Sequence, residues 1–147
     1  MFRHILIATD GSDLAQKATT NGLALAKAVG ASVTAVTVFI PFHMYDVLPS
    51  GITKDLSDAY AEYVEDVNTE SFLNDVAEMA SARGVRCQVM QVEQNQPHEA
   101  IVDIAVRKNC DLIVMASHRR RGIAAMLLGS VTAKVLARTT IPVLVYH

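Results

Sequence analysis

Hydrophobic and polar residues recur along the chain with two spacings, which predict a regular succession of strands and helices. Short apolar runs rich in β-branched residues are typical of strands covered on both faces. Between these runs, apolar residues return every three or four positions, as on one face of a helix. The predicted strands are His4–Thr9, Ser32–Phe39, Arg86–Val92, Leu112–Ala116 and Pro142–Tyr146. The predicted helices are Asp13–Val29, capped by Ser12 or Asp13, then Leu56–Arg83, Pro97–Asn109 and Leu128–Arg138.

This alternation of strand and helix predicts an α/β fold: one open five-stranded parallel sheet with helices on both faces and right-handed crossovers. The 147 residues match the size of a single domain, residues 1–147. Ligands of such Rossmann-like folds bind outside the carboxyl ends of the strands, where the strand order reverses. The residues expected there are Asp10–Ser12, Val38–Pro41 and Ala116–Gly122.

Composition narrows the function classes. The net charge of −2 gives no electrostatic reason to bind nucleic acid or an anionic membrane. No apolar run reaches the roughly 20 residues of a membrane span, and the N-terminus lacks the layout of a signal peptide. We therefore expect a cytoplasmic protein with no membrane and no nucleic-acid partner. Cys87 and Cys110 lack metal-ligand spacing and are expected to be reduced apolar filler.

Two segments carry a resemblance to a known family. The sequence TDGS follows the first strand, and ASHRRRGIAAMLLGSVTAKVLARTTIPVLV closes the chain. With these segments the whole chain resembles the universal stress protein family. The resemblance implies the strand order 3-2-1-4-5, a homodimer and a role in the stress response. In the nucleotide-binding branch it implies ATP, held by a loop of the form G-x2-G-x9-G-[ST].

The glycine motif is only partly present in this chain. Gly129 and Ser130 match its closing pair, but Arg119 and Ala116 stand at the other two glycine positions. A side chain at a position that requires positive φ costs roughly 1 kcal/mol or more, so Arg119 is the more serious departure. The resemblance further implies that Asp10 lies near the ribose and adenine, that Val38 contacts adenine, and that Met115 and Ser130 lie beside the base and phosphates.

Each of these residues also has a structural interpretation. Asp10 could cap the first helix or bind its own turn, and Gly129–Ser130 could be only a helix start with serine as the N-cap. The run Arg119–Arg121 is either a solvated loop or the source of a guanidinium that grips a phosphate. His118 beside it is expected to be solvated. Two alternatives follow: weak binding of ATP or a related adenine nucleotide, or lost binding and a role through unknown protein partners.

Catalysis finds little support in the sequence. No G-x-S-x-G elbow, Walker A sequence or metal-ligand spacing is present, so we predict no enzyme, no catalytic residue and no metal. The rival function is slow nucleotide hydrolysis or phosphotransfer. It would need a carboxylate that holds a metal ion near the phosphates, and Asp10 is the only obvious candidate.

The last strand is apolar on both faces. In the order 3-2-1-4-5 it lies at a sheet edge, where unpaired backbone groups invite association unless they are covered. The resemblance implies that this strand pairs with its own copy in a homodimer. Pro142 has no N–H, so the pairing is expected over Val143–Tyr146, and a charge at Val143 or Val145 should break it.

Overall fold

The structure, a computed structural model, describes residues 1–39, 69–118 and 129–147. Several sequence predictions lie outside these residues: the loop over 41–54, the first part of the second helix, and Arg119–Arg121. Within the described ranges, no helix combines the length and the apolar character needed to cross a bilayer.

The described strands form one parallel sheet. They run in the spatial order β3-β2-β1-β4-β5, which confirms the predicted order 3-2-1-4-5. The strands are β1 His4–Ala8, β2 Ser32–Phe39, β3 Cys87–Glu93, β4 Leu112–Ala116 and β5 Val143–Tyr146. The chain therefore builds outward from β1 to β3 on one side and then returns to add β4 and β5 on the other. The strand order reverses between β1 and β4.

Helices cover both faces of the sheet and give two separate cores. The described helices are α1 Asp13–Val29, α2 Thr69–Ala82, α3 Pro97–Arg107 and α4 Ser130–Arg138. Successive side chains of a strand point to opposite faces. In β1, Ile5 and Ile7 accordingly pack with residues of α1 and α2, whereas Leu6 packs with residues of α3 and α4. All three are fully buried, so the central strand supplies both cores.

Element ends differ slightly from the predictions, for identifiable reasons. The third helix ends at Arg107 rather than Asn109, because Asn109 adopts a positive φ of 54° that no helix can continue through. Asparagine is among the few residues that tolerate this conformation. The fifth strand begins at Val143 rather than Pro142. Proline has no N–H to donate, although the Pro142 carbonyl accepts a bond from the N–H of Ile113 at 2.9 Å.

Side chains at the amino ends of the strands fix the centre of the sheet. The Asp111 carboxylate accepts hydrogen bonds from the backbone N–H groups of Arg3 and His4 at 2.8 and 3.0 Å. The His4 ring bonds the Thr34 hydroxyl at 2.9 Å and the Lys108 carbonyl at 3.0 Å. Residues near 4 and 111 are thus joined through side chains as well as through the β1–β4 pairing.

Both cysteines are free thiols. Cys110 is buried, as predicted for apolar filler, and burial raises its pKa to about 11. Cys87 is half-buried, and burial likewise raises its pKa. A thiol with a raised pKa is a poor nucleophile at neutral pH, which counts against a reactive role for either cysteine.

Candidate functional site

A cleft of about 230 Å³ lies at the carboxyl ends of β1, β2 and β4, where the strand order reverses. Four of the predicted site residues line it: Asp10, Val38, Met115 and Ala116. Gly129 and Ser130 lie at the start of α4, and the residue that follows them, Val131, lines the cleft. The seventh predicted residue, Arg119, lies outside the described residues.

The inner wall of the cleft is apolar. It includes Val36 and Val38 from β2, Ile101 from α3 and Met115 from β4. Val36 and Met115 also belong to the buried core shared by α3 and α4, so these walls are fixed by packing. Aliphatic and thioether walls of this kind suit a flat, largely apolar ring.

The mouth of the cleft carries a carboxylate, because Asp10 follows β1 directly. One oxygen of Asp10, Oδ1, accepts a hydrogen bond from the Ser12 N–H at 3.0 Å, so the predicted bond to its own turn is confirmed. Burial raises the pKa of Asp10, but bonds from Ser12 and His118 outweigh it and leave the pKa below the ordinary value of 3.8. Asp10 is therefore a charged acceptor at neutral pH.

The helix cap next to Asp10 follows from the same short sequence. Ser12 has extended backbone angles, and its hydroxyl accepts a bond from the Ala15 N–H at 3.3 Å. Ser12, not Asp10 or Asp13, is therefore the N-cap of α1, which was one of the predicted alternatives. This cap fixes the turn that holds the Asp10 carboxylate at the mouth of the cleft.

His118 was expected to be solvated; it is exposed, but it also contacts two neighbouring side chains, which the sequence analysis did not predict. Its Nε2 atom lies 3.0 Å from Asp10 Oδ2 and 3.2 Å from Ser12 Oγ. Asp10 and His118 hold equivalent positions: Asp10 lies two residues after Ala8, the end of β1, and His118 lies two residues after Ala116, the end of β4. Because β1 and β4 are neighbours in the sheet, their ends lie side by side. The predicted strand order was therefore the signal from which the pair could have been found.

The Ser12, His118 and Asp10 side chains do not form a catalytic triad. In a triad, the serine and the aspartate contact different nitrogens of the histidine ring, so that a proton can cross it. Here both residues contact the same atom, Nε2. The arrangement can accept a hydrogen bond from a hydroxyl, but its geometry is wrong for activating Ser12.

Ser117 joins the end of β4 to the start of α4, a role that the sequence analysis missed. Its hydroxyl accepts a bond from the Gly129 N–H at 2.7 Å, and its own N–H donates to the Tyr146 carbonyl at 2.7 Å. Gly129 is the N-cap of α4, with extended backbone angles (φ −57°, ψ 153°). Ser130 is the first helical residue and is exposed, so its predicted role as the N-cap is wrong.

Gly129 is needed for space rather than for backbone freedom, since its φ is negative. A Cβ atom added there would lie 2.9 Å from the His118 carbonyl oxygen and 3.3 Å from the His118 nitrogen. Backbone atoms cannot move aside as a flexible side chain can. The closing glycine of the motif therefore lets the start of α4 lie directly against residue 118.

Comparisons with known proteins agree in one family. A model described as the universal stress protein family matches residues 1–147. A universal stress protein of Methanocaldococcus jannaschii is 33% identical over 147 residues, which cover 99% of this chain and 82% of that protein.

Solved structures give the same result. A universal stress protein family member from Burkholderia pseudomallei has a TM-score of 0.70 at 29% identity, covering 97% of this chain and 93% of its own. A universal stress protein in complex with cAMP has a TM-score of 0.72 at 24% identity, covering 99% of this chain and 97% of its own. The second similarity concerns the fold alone.

Proposed function

Because this chain belongs to the universal stress protein family, we propose that its cleft binds an adenine nucleotide and that this binding, not catalysis, is its activity. One protein of the same fold is known in complex with cAMP, which makes adenine nucleotides a reasonable first ligand class. The proposal itself rests on the residues of this chain.

The observation that carries the proposal is the meeting of an apolar slot and a carboxylate in one cleft. Val38 and Met115 lie in the slot, and Asp10 stands at its mouth. The base would occupy the slot, and the ribose hydroxyls would donate to Asp10. The volume of 230 Å³ lies below the roughly 300–1,000 Å³ of pockets that enclose drug-sized ligands. It therefore suits a nucleoside better than a whole triphosphate.

The phosphates would lie at the start of α4. The first N–H groups of a helix have no acceptor within it, and they favour anions. Val131, in the first turn of α4, lines the cleft and brings this helix end to the site. We propose weak binding, since Ala116 stands at a glycine position of the motif and adds a methyl group to the wall of the cleft.

Calorimetric titration with adenosine, AMP, cAMP and ATP with magnesium tests the proposal. Asp10→Asn keeps the shape of the side chain and removes its charge. Hydrogen bonds to charged groups contribute about 1.5–3 kcal/mol, so we expect affinity to fall about tenfold or more. Asp13→Asn is the matched control, because Asp13 is an exposed residue of the first turn of α1 that does not line the cleft.

Two results would contradict nucleotide binding at this cleft. One is the absence of binding by the wild type at millimolar ligand. The other is equal affinity of the Asp10→Asn and Asp13→Asn variants. Arg119→Gly restores the motif glycine, so tight ATP binding gained only in that variant would favour lost binding in the natural chain. A loss of affinity in Arg119→Ala would instead favour an arginine that grips the phosphate.

We further propose that the protein has no dedicated catalytic activity. The Asp10 carboxylate, which the sequence analysis named as the obvious candidate for holding a metal ion near phosphates, makes hydrogen bonds to Ser12 and His118. Phosphate release, measured in the same ATP samples, tests this proposal. Turnover above the rate without protein, abolished by Asp10→Asn, would support the slow hydrolase instead.

We propose a homodimer through β5, as the sequence analysis expected. The Pro142 carbonyl accepts a bond from Ile113 of β4, and the Tyr146 carbonyl accepts one from Ser117, the residue that follows β4. Backbone groups of a strand alternate in direction, so those of Val143 and Val145 point away from the sheet. Leu144 adds an apolar side chain that is 37% exposed. A second copy of β5 would satisfy these groups.

A further inference from the structure

We infer that Ser117 is the positioning residue of the cleft: its buried hydroxyl sets where the start of α4 meets the phosphate of a bound nucleotide. The inference rests on the proposed function and deepens it. Ser117 would not touch the ligand. It would act through Gly129, by fixing the first residues of α4 against the end of β4.

Ser117 itself is held in place by the sheet. It follows β4 immediately, and its N–H donates to the Tyr146 carbonyl of β5 at 2.7 Å. Its side chain is 1% exposed. The position of the Ser117 hydroxyl is therefore set by the sheet and by close packing, not by solvent.

The Ser117 hydroxyl supplies the hydrogen-bond acceptor at the start of α4. The Gly129 N–H donates to Ser117 Oγ at 2.7 Å, at the short end of the usual range for such bonds. No side-chain cap bond is made at the start of α4 by the cap residue itself, which is glycine. One side-chain bond thus joins two backbone positions that are 12 residues apart.

The bond between Ser117 and Gly129 lies next to the cleft. Gly129 lies so close to His118 that an added Cβ would stand 2.9 Å from the His118 carbonyl oxygen. His118 contacts Asp10 at one side of the cleft, and Val131 lines it two residues beyond Gly129. The Ser117 hydroxyl therefore fixes the spacing between the ribose acceptor and the N–H groups of α4.

The experiment compares Ser117→Ala with wild type, using adenosine and AMP as a pair of ligands that differ by one phosphate. The base and ribose contacts of Asp10, Val38 and Met115 are unchanged in this variant, so adenosine affinity should stay within about twofold. A lost hydrogen bond corresponds to roughly 1 kcal/mol, so AMP affinity should fall about fivefold. A purely structural role would not change the ratio of the two affinities.

Ser32→Ala is the matched control, because it removes a hydroxyl at the opposite end of the sheet. Ser32 begins β2, and its hydroxyl donates to the Arg3 carbonyl at 3.3 Å. We expect it to leave both affinities unchanged. Equal losses for adenosine and AMP in Ser117→Ala, or no loss for either, would overturn the positioning role.

Amide hydrogen exchange at Gly129, followed by NMR without ligand, separates this inference from the proposed function. We expect the Gly129 amide to exchange faster in Ser117→Ala than in wild type or Ser32→Ala. Unchanged exchange would overturn the Ser117 inference, whatever the protein binds. Faster exchange with no AMP binding by the wild type would instead overturn the proposed function and, with it, the role of Ser117 toward phosphate.

Discussion

At the scale of single residues, Asp10 combines a structural contact with a chemical one. Its Oδ1 atom holds the turn that leads into α1, and its Oδ2 atom holds His118 from the neighbouring loop. The carboxylate is therefore oriented before any ligand arrives. A ribose that donated to Oδ2 would compete with His118 for the same oxygen.

The lowered pKa of Asp10 predicts a pH-dependent contribution to stability. A carboxyl group whose folded-state pKa is depressed stabilises the fold above its unfolded pKa, and this contribution is lost as pH falls through the folded value. The side chains of Asp10 and His118 are 58% and 53% exposed, so the contribution should stay below about 1 kcal/mol. We expect Asp10→Asn to be slightly less stable than wild type at neutral pH.

The difference should shrink as the pH falls below 3.8, the ordinary value for the carboxyl group. Urea unfolding of both proteins at a series of pH values measures it. In a His118→Gln background, Asp10→Asn should destabilise less, because the partner has already gone. A difference that grows toward acid would mean that Asp10 is not stabilised as an anion.

Part of the site could be predicted from the sequence, and part of it depends on contacts that the sequence does not reveal. Asp10, Val38 and Met115 were predicted to belong to one site, and all three line the cleft. Ser117 was passed over because its role depends on which backbone N–H lies beside it. That N–H belongs to Gly129, and no period or motif reveals a meeting between positions 12 residues apart.

At the scale of elements, two glycines allow helices to approach the sheet, but what each one touches differs. Gly22 of α1 faces the side chain of Ile7, whose Cδ1 atom would lie 2.9 Å from an added Cβ. Gly129 faces the backbone of His118 at the same 2.9 Å. Although the two distances are equal, an alanine at Gly129 should lower stability more than an alanine at Gly22. The end of the Ile7 side chain can rotate away, whereas the His118 carbonyl cannot.

Gly129→Ala should destabilise the protein by about 1–3 kcal/mol, the usual effect of overpacking a close contact. Gly22→Ala is the matched control. Alanine gains about 1 kcal/mol of helix propensity over glycine, which should offset much of its contact with Ile7. Urea unfolding of the two variants measures both effects. A smaller loss for Gly129→Ala than for Gly22→Ala would contradict the close approach to His118.

At the scale of the whole molecule, the sheet has two edges of different character. Strand β3 ends one edge and includes polar residues such as Gln88 and Glu93, whereas β5 has the sequence VLVY. Polar edge strands resist pairing with other chains, and apolar ones promote it. The proposed dimer therefore uses β5 and leaves β3 at the outside.

Proline substitutions at two adjacent positions of β5, Val145 and Leu144, test this dimer. Val145→Pro removes an N–H that points away from the sheet, which edge strands tolerate. By circular dichroism and analytical ultracentrifugation, we expect this variant to be a folded monomer and the wild type to be a dimer. Leu144→Pro removes an N–H that points toward β4 and should destabilise the fold itself. A wild-type monomer, or a Val145→Pro dimer, would contradict pairing through β5.

The fold was more predictable than the site because its signals are periodic. Apolar runs and helical stripes recur in every element, so the strand and helix types were correct throughout the described ranges. The strand order came from the resemblance of the two quoted segments to a family. The contact between His118 and Asp10 was harder to predict. The loops after β1 and β4 can be expected to lie side by side only when these two strands are known to be neighbours.

The position of β1 between β2 and β4 also affects how the protein can be made. One neighbour of β1 is β4, which begins at Leu112. The hydrogen bond from the His4 N–H to the Asp111 carboxylate, just before β4, joins residues 107 positions apart. Ribosomes add about 5–20 residues each second, so β1 must wait roughly 5–20 s for that partner. During this time the backbone N–H and C=O groups of β1 that pair with β4 lack their partners. Strand β1 is thus made well before the strand that completes its pairing, so one of its edges stays unpaired while the intervening residues are added.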